Sequence, residues 1–289
     1  MTGQSAAFQL VEARRAEQIR ARRGQVALLV GGLVVLVVVS AQIGEISLAK
    51  LANGLPRFFN YIWRTMPSLS LATLGADVAA WMWNLKTWLR LLFDTVMIAF
   101  VATTLGVVGA FFLSFLAARN LTPNGIVFQL TRRFLELMRT VPELVFALLF
   151  VFAFGLGPMA GVLAIALHTL GVLGKLFAEI NETVSPRSLE GVIAAGASTD
   201  QVIRLAVTPQ VMPAFISYTL LRFEINVRSA SVVGFVGAGG IGQELMFVIN
   251  QFLYTDISAI LLLLIITVAL IDIGCEALRH RVIHGGGRA

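Results

Sequence analysis

The 289-residue sequence is 57% hydrophobic and only 13% charged, with a mean hydropathy of +0.85, whereas soluble proteins carry roughly 25% charge. This excludes an ordinary soluble domain and defines an all-α integral membrane protein. The formal net charge of +6 suits anionic lipid and requires no nucleic acid, and the single Cys275 excludes an intrachain disulfide or a multi-cysteine metal site.

In chain order, the arm 1–24 is rich in arginine, and 21 uncharged residues follow between Arg23 and Glu45. That is enough to cross a hydrocarbon core of about 30 Å at about 1.5 Å per residue, so a first span is placed at 25–44. "VSA" at 39–41 resembles a signal-peptide cleavage site, but the apolar stretch exceeds an h-region of about 7–15 residues. An outer loop, 45–92, holds all four tryptophans (Trp63, Trp81, Trp83, Trp88) and is expected to form interfacial helices. The second span is 93–118. The run from Leu144 to Gly174 has no Asp, Glu, Lys or Arg and is too long for one crossing. "GLGP" at 155–158 divides it into spans 129–154 and 158–180. A cytoplasmic segment, 183–209, leads to the fifth span, 210–236, which carries Arg222, Glu224 and Arg228, with Glu224 read as the only carboxylate deep in a span. The sixth span is 256–278, and a cytoplasmic tail covers 281–289.

Six spans put both termini on one side. Fifteen Lys and Arg fall on that side and five, all in the outer loop, on the other, so the positive-inside rule makes both termini cytoplasmic.

"GAGGIG", 237–242, spells a dinucleotide-binding turn (Gly237, Gly239, Gly242). It follows a span that runs outward, has no room for a βαβ unit, and lacks an acidic residue at the ribose-binding distance. Gly237, Gly239, Gly240 and Gly242 are therefore read as a conformational break at the outer mouth of a path. No P-loop occurs; Gly171-x-x-Gly174-Lys175 has the wrong spacing. No His, Asp, Glu or Cys cluster supports a catalytic centre or a metal site.

In the cytoplasmic segment, Ser185 and Pro186 can open a short helix with Leu189, Val192 and Ile193 on one face, and Gly196 can end it. Ser198 to Asp200 can cap a second helix, which Pro209 is expected to stop. Such a stripe packs on its own bundle or in the groove of another protein. The segment resembles the cytoplasmic signature of ATP-binding-cassette (ABC) importer permeases at Glu190, Gly196 and Pro209. It departs from that signature at Gly191 and Val192, where the family has alanines, and at Ala206 and Thr208, where it has Ile and Leu. Three stretches, "RTVPELVFALLFVFAFGLGP" (139–158), "GASTDQVIRLAVTPQVMP" (196–213) and "LRFEINVRSASVVGFVGAGGIGQEL" (221–245), resemble the phosphonate-uptake (PhnE-type) permeases. The resemblance covers roughly residues 90–280.

It implies a type I ABC importer permease fold in a bacterial inner membrane, moving phosphonates or a related oxyanion such as phosphite or phosphate by alternating access. The implied partners are a second permease copy, forming a homodimer, an extracytoplasmic phosphonate-binding protein and a cytoplasmic ABC ATPase dimer. That ATPase would hold ATP and Mg, this chain binding no cofactor. Glu190 to Pro209, with Leu189, Val192 and Ile193, would form the coupling helix that docks on it. An ion-coupled secondary transporter would show more path-facing carboxylates and two sequence halves.

Charges within a span belong in the bundle interior or a water-filled path. Glu224 and Arg228 are spaced to pair, whereas Arg222 points away and is expected to lack a counter-charge. Two readings stand for Arg222 and Arg228: attraction of an anionic substrate, or an ion-pair lock between helices. Arg139 and Glu143 flank Pro142, where a helix can kink. His168 reads as a hydrogen-bonded bundle residue, and Gly106 and Gly109 as sites of close helix packing.

Overall fold

The structure, a computed structural model, describes residues 3–285; of the tail 281–289, residues 286–289, including Arg288, lie outside the described residues. Two compact units meet at Trp63/Arg64, and each is described by itself. In the first, α1 (Gly3–Ile43) is one unbroken helix. The expected boundary between arm and span at 24/25 is therefore chemical rather than structural: charge stops at Arg23, but no proline occurs before Pro56 to end the helix. After a turn at Glu45, which has φ of 51°, α2 (Leu48–Thr65) begins.

The second unit is a helical bundle. α3 (Leu74–Trp81) and α4 (Leu85–Leu116) open it, and the helix that holds the expected second span begins at Leu85, ahead of residue 93. Three of the four tryptophans contact the bundle. Trp81 Nε1 donates to Thr255 O and Ser258 Oγ, both at 3.1 Å, and Trp83 Nε1 to Asp256 Oδ1 at 3.3 Å, while Trp88 is fully buried. The rings of Trp88 and Trp81 pack the outset of α4 in one cluster with Ile257 and Ile260.

The largest departure from the expected spans is at 129–154. It is not one helix but two, α5 (Gly125–Thr140) and α6 (Glu143–Phe154), bent by 88°. Pro142 is the cause. It has no N–H to donate, and it holds Val141 in an extended conformation (φ −74°, ψ 121°). Asn124 sets the start of α5 by accepting the Ile126 N–H at 2.9 Å.

α7 (Pro158–Glu182) is the axis of the bundle and packs against α4, α5, α6 and the long helix α10 (Thr208–Val233). Small residues make this possible: a Cβ at Gly106 of α4 would stand 2.7 Å from Thr169 Cγ2, so the two backbones approach closely. Ala99, Ala102, Ala164 and Ala166 line the same cluster.

The chain between α7 and α10 forms α8 (Pro186–Ala194), α9 (Thr199–Val202) and a wider π-helical turn at Ile203–Val207. Pro209 does not stop the second helix, as the sequence implies. It stands in the first turn of α10, directly after the wider π-helical turn, and the helix continues through it. Past α10, a 3₁₀ turn (Gly234–Val236) and the glycine break lead to α11 (Ile241–Asn250) and α12 (Tyr254–Gly285).

Among the described residues every regular element is helical. Among the described residues four helices are long and apolar enough to cross a membrane, or up to six spans if the bent pairs α5/α6 and α10/α11 each count as one. Ile265, Leu270 and Ile273 of α12 are exposed, as lipid-facing or subunit-facing positions are.

Candidate functional site

α10 carries polar residues on opposite sides because of helical spacing. Residues four apart share a face, and residues two apart differ by about 200°. Arg222 and Asn226 therefore turn one way, Glu224 and Arg228 the other.

The first stripe enters the core. Asn226 is fully buried, and its Nδ2 donates to Thr103 Oγ1 of α4 at 2.8 Å and to Thr169 Oγ1 of α7 at 2.9 Å. Arg222, also buried, reaches the same Thr169 hydroxyl through Nε at 3.5 Å. Its Nη2 lies 3.9 Å from Glu143 Oε2 at the start of α6 and makes no hydrogen bond. Arg222 thus has a counter-charge, contrary to the expectation from sequence, but a loosely held one. The kink at Pro142 supplies it by turning Glu143 back toward α10. Thr103 and Thr169 carry no charge to single them out in sequence. Asn226, a polar residue four positions from Arg222 in an apolar span, was the available signal.

The second stripe faces α12. Glu224 Oε1 accepts from Arg228 Nη2 at 2.8 Å, and Glu224 Oε2 lies 3.6 Å from Arg279 Nη2. Arg228 Nη1 is 3.8 Å from Asp272 Oδ2. Glu224 is therefore not the only carboxylate within a span: Asp272 joins it, one α12 face bringing Asp272 and Arg279 together seven residues apart. Arg228 keeps nearly half its side chain exposed.

Beside these stripes is an open hollow of about 470 Å³ between α6, α7 and α10, lined by Glu143, His168, Arg228 and Ser229 among others. His168 Nδ1 lies 3.1 Å from Val141 O. Because a carbonyl only accepts, Nδ1 carries the proton there. This bond satisfies a carbonyl that the proline kink leaves without a helical partner. Arg139, the other charge flanking Pro142, stands in the last turn of α5.

The glycine break is docked rather than free. Gly237, Gly239 and Gly240 have φ of 86°, 85° and 74°, conformations that side-chain-bearing residues rarely adopt. Gly237 O accepts from Gly157 N at 2.9 Å, which ties the break to the turn before α7. A Cβ at Gly239 would stand 3.1 Å from Pro158 Cγ, and one at Gly242 would collide with the Ser231 carbonyl oxygen. Thr95 of α4 accepts the Ile241 N–H at 2.8 Å, opening α11. A helix, not a strand, precedes the motif.

In the segment 183–209, Leu189 is buried with Val202, Ala206 and Phe215, and Val192 packs against that cluster. Part of the apolar stripe therefore seats on its own bundle. Glu190, Gly196 and Pro209 are exposed, as is Ile193 at 55%. Gly196 has φ of 84° and follows the end of α8, and Ser198 N donates to Gln201 Oε1 at 2.9 Å at the start of α9. Among the described residues no group of three or more His, Cys, Asp or Glu is placed to hold a metal ion.

Residues 110–283 match the family described as binding-protein-dependent transport system inner membrane component. The phosphite transport system permease protein PtxC of Stutzerimonas stutzeri is 38% identical over 256 residues, 89% of this chain and 88% of that one. The putative cryptic phosphonate transport system permease protein PhnE2 of Escherichia coli (strain K12) is 49% identical over 121 residues, 42% of this chain and 99% of that one. A solved structure of the MetNI methionine ABC transporter in an inward-facing conformation shares the fold with a TM-score of 0.61 at 19% identity, covering 74% of this chain and 99% of that one. The chain belongs to the binding-protein-dependent transport system inner membrane components: it is a multi-pass inner-membrane permease subunit, not a catalytic one.

Proposed function

We propose that this chain moves phosphite, phosphonates or a closely related phosphorus oxyanion across the inner membrane, as the permease of an ATP-driven importer. The observation that carries this reading is the 38% identity to a phosphite permease along nearly the whole of both chains. A bundle holding Arg222 and Arg228 within an apolar span is the chemistry such cargo needs.

In this reading both termini are cytoplasmic and a second permease copy completes the path. A separate binding protein delivers cargo, and a separate ATPase supplies the energy. Glu190 and Ile193, exposed on α8 while Leu189 anchors it, are the residues that meet the ATPase. Gly196 allows the bend between α8 and α9. Gly237 to Gly242 hold the break from which α11 departs at 45°, and substitution of Gly239 impairs transport without preventing insertion.

The test is ATP turnover by the complex of this chain with its ATPase and binding protein in lipid, with phosphite, methylphosphonate, 2-aminoethylphosphonate and phosphate supplied in turn. Stimulation by at least one is expected. Flat turnover with all four in an assembled complex contradicts the substrate assignment, and failure of this chain to bind any ATPase contradicts the importer reading.

A further inference from the structure

The hollow between α6, α7 and α10 contains groups that attraction of an anion does not explain. Arg228 and the Ser229 hydroxyl offer donors, but Glu143 lines the same space, and a carboxylate only accepts. His168 adds another acceptor. Its Nδ1–H is committed to Val141 O, so the neutral ring has only Nε2 left for other partners, and that nitrogen accepts.

Most of the surrounding charge is paired as well. Arg222, Arg228 and Arg279 are paired with Glu143, Glu224 and Asp272, and Arg139 stands in the last turn of α5. These groups do not face acyl chains, where each would be costly, so the hollow opens to water or to another subunit.

A fully ionised phosphorus dianion gains from Arg228 but meets the Glu143 carboxylate, and it offers no proton to either acceptor. A monoanion that retains one P–OH suits every group present. Its ionised oxygens accept from Arg228 and Ser229, and its hydroxyl donates to Glu143 or to His168 Nε2. Phosphite and phosphonates, the compounds named for the relatives, both have such a monoanion.

We propose that this hollow is a binding site for the singly protonated monoanion of a phosphorus oxyacid, and that Glu143 and His168 recognise its P–OH. The inference rests on the phosphorus-oxyanion reading above.

The test uses this chain assembled with its ATPase and binding protein in proteoliposomes. The two probes have equal charge: methylphosphonate, at a pH where it is singly ionised, and its O-methyl ester, which has no P–OH. Each is presented with the binding protein saturated, so that selection by that protein does not enter. Wild type is expected to take up the acid about tenfold faster than the ester, the effect of one charge-assisted hydrogen bond. In Glu143→Gln the ratio is expected to fall toward unity, because the amide can donate to the ester as well as accept from the acid.

An unchanged ratio in Glu143→Gln overturns the proposal. If that variant does not assemble, the wild type decides alone, and equal uptake of acid and ester overturns it. Uptake of neither probe, nor of phosphite, overturns the substrate reading and this inference with it, whereas equal uptake of both removes only the inference.

Discussion

Arg222 and Arg228 stand six residues apart on one helix, and α10 gives them opposite surroundings. Arg222 and Asn226 enter a nearly sealed space between α4 and α7, where two threonine hydroxyls and the distant Glu143 carboxylate are the partners. Arg228 lies at the rim with Glu224 and Asp272 beside it and half its side chain exposed. The lesson is that helical phase, rather than depth along the span, divides the labour. The interior stripe links α10 to α4 and α7, and Arg228 of the rim stripe lines the open hollow.

Arg222→Ala should have the largest effect. It leaves the Glu143 carboxylate without a counter-charge and vacates space beside Thr169, at a cost of about 3 kcal/mol. Thermal unfolding of the purified complex in lipid should shift well below wild type, with uptake lost. A stable, transporting Arg222→Ala complex would erase the distinction between the stripes. Asn226→Leu comes next. It removes two interhelical hydrogen bonds and leaves the Thr103 and Thr169 hydroxyls without their amide partner, costing about 1–2 kcal/mol, read by the same unfolding assay. Arg228→Gln should separate the two roles: uptake at least several-fold lower with an unfolding temperature close to wild type. Asp272→Asn should be the mildest, because Arg228 keeps its shorter contact with Glu224, 2.8 Å against 3.8 Å to Asp272. An unfolding temperature for Asp272→Asn as low as that of Asn226→Leu would show that the rim is structural too.

Much of this was legible before the structure. Membrane residence, the division at Gly155–Pro158, the helix opened by Ser185–Pro186 and ended at Gly196, and the pairing of Glu224 with Arg228 follow from local spacing, which a sequence displays directly. The rest depends on how elements meet. Pro142 could be seen as a kink, but not the 88° bend that carries Glu143 to Arg222. Asp272 and Arg279 reach Arg228 and Glu224 only because α12 lies along α10. Thr95, which caps α11 from 146 residues away, had no signal at all. Leu189 and Ile193 belong to one apolar stripe in sequence, and only packing tells which of them is buried.

In the proposed function this permease moves a phosphorus oxyanion with energy taken from a partner ATPase. Radiolabelled phosphite uptake into proteoliposomes containing this chain, the ATPase and the binding protein tests it most directly, with ATP present or absent and with ion gradients collapsed. Accumulation that requires ATP and survives collapse of the gradients is the predicted result. Accumulation that follows an ion gradient without ATP would contradict it.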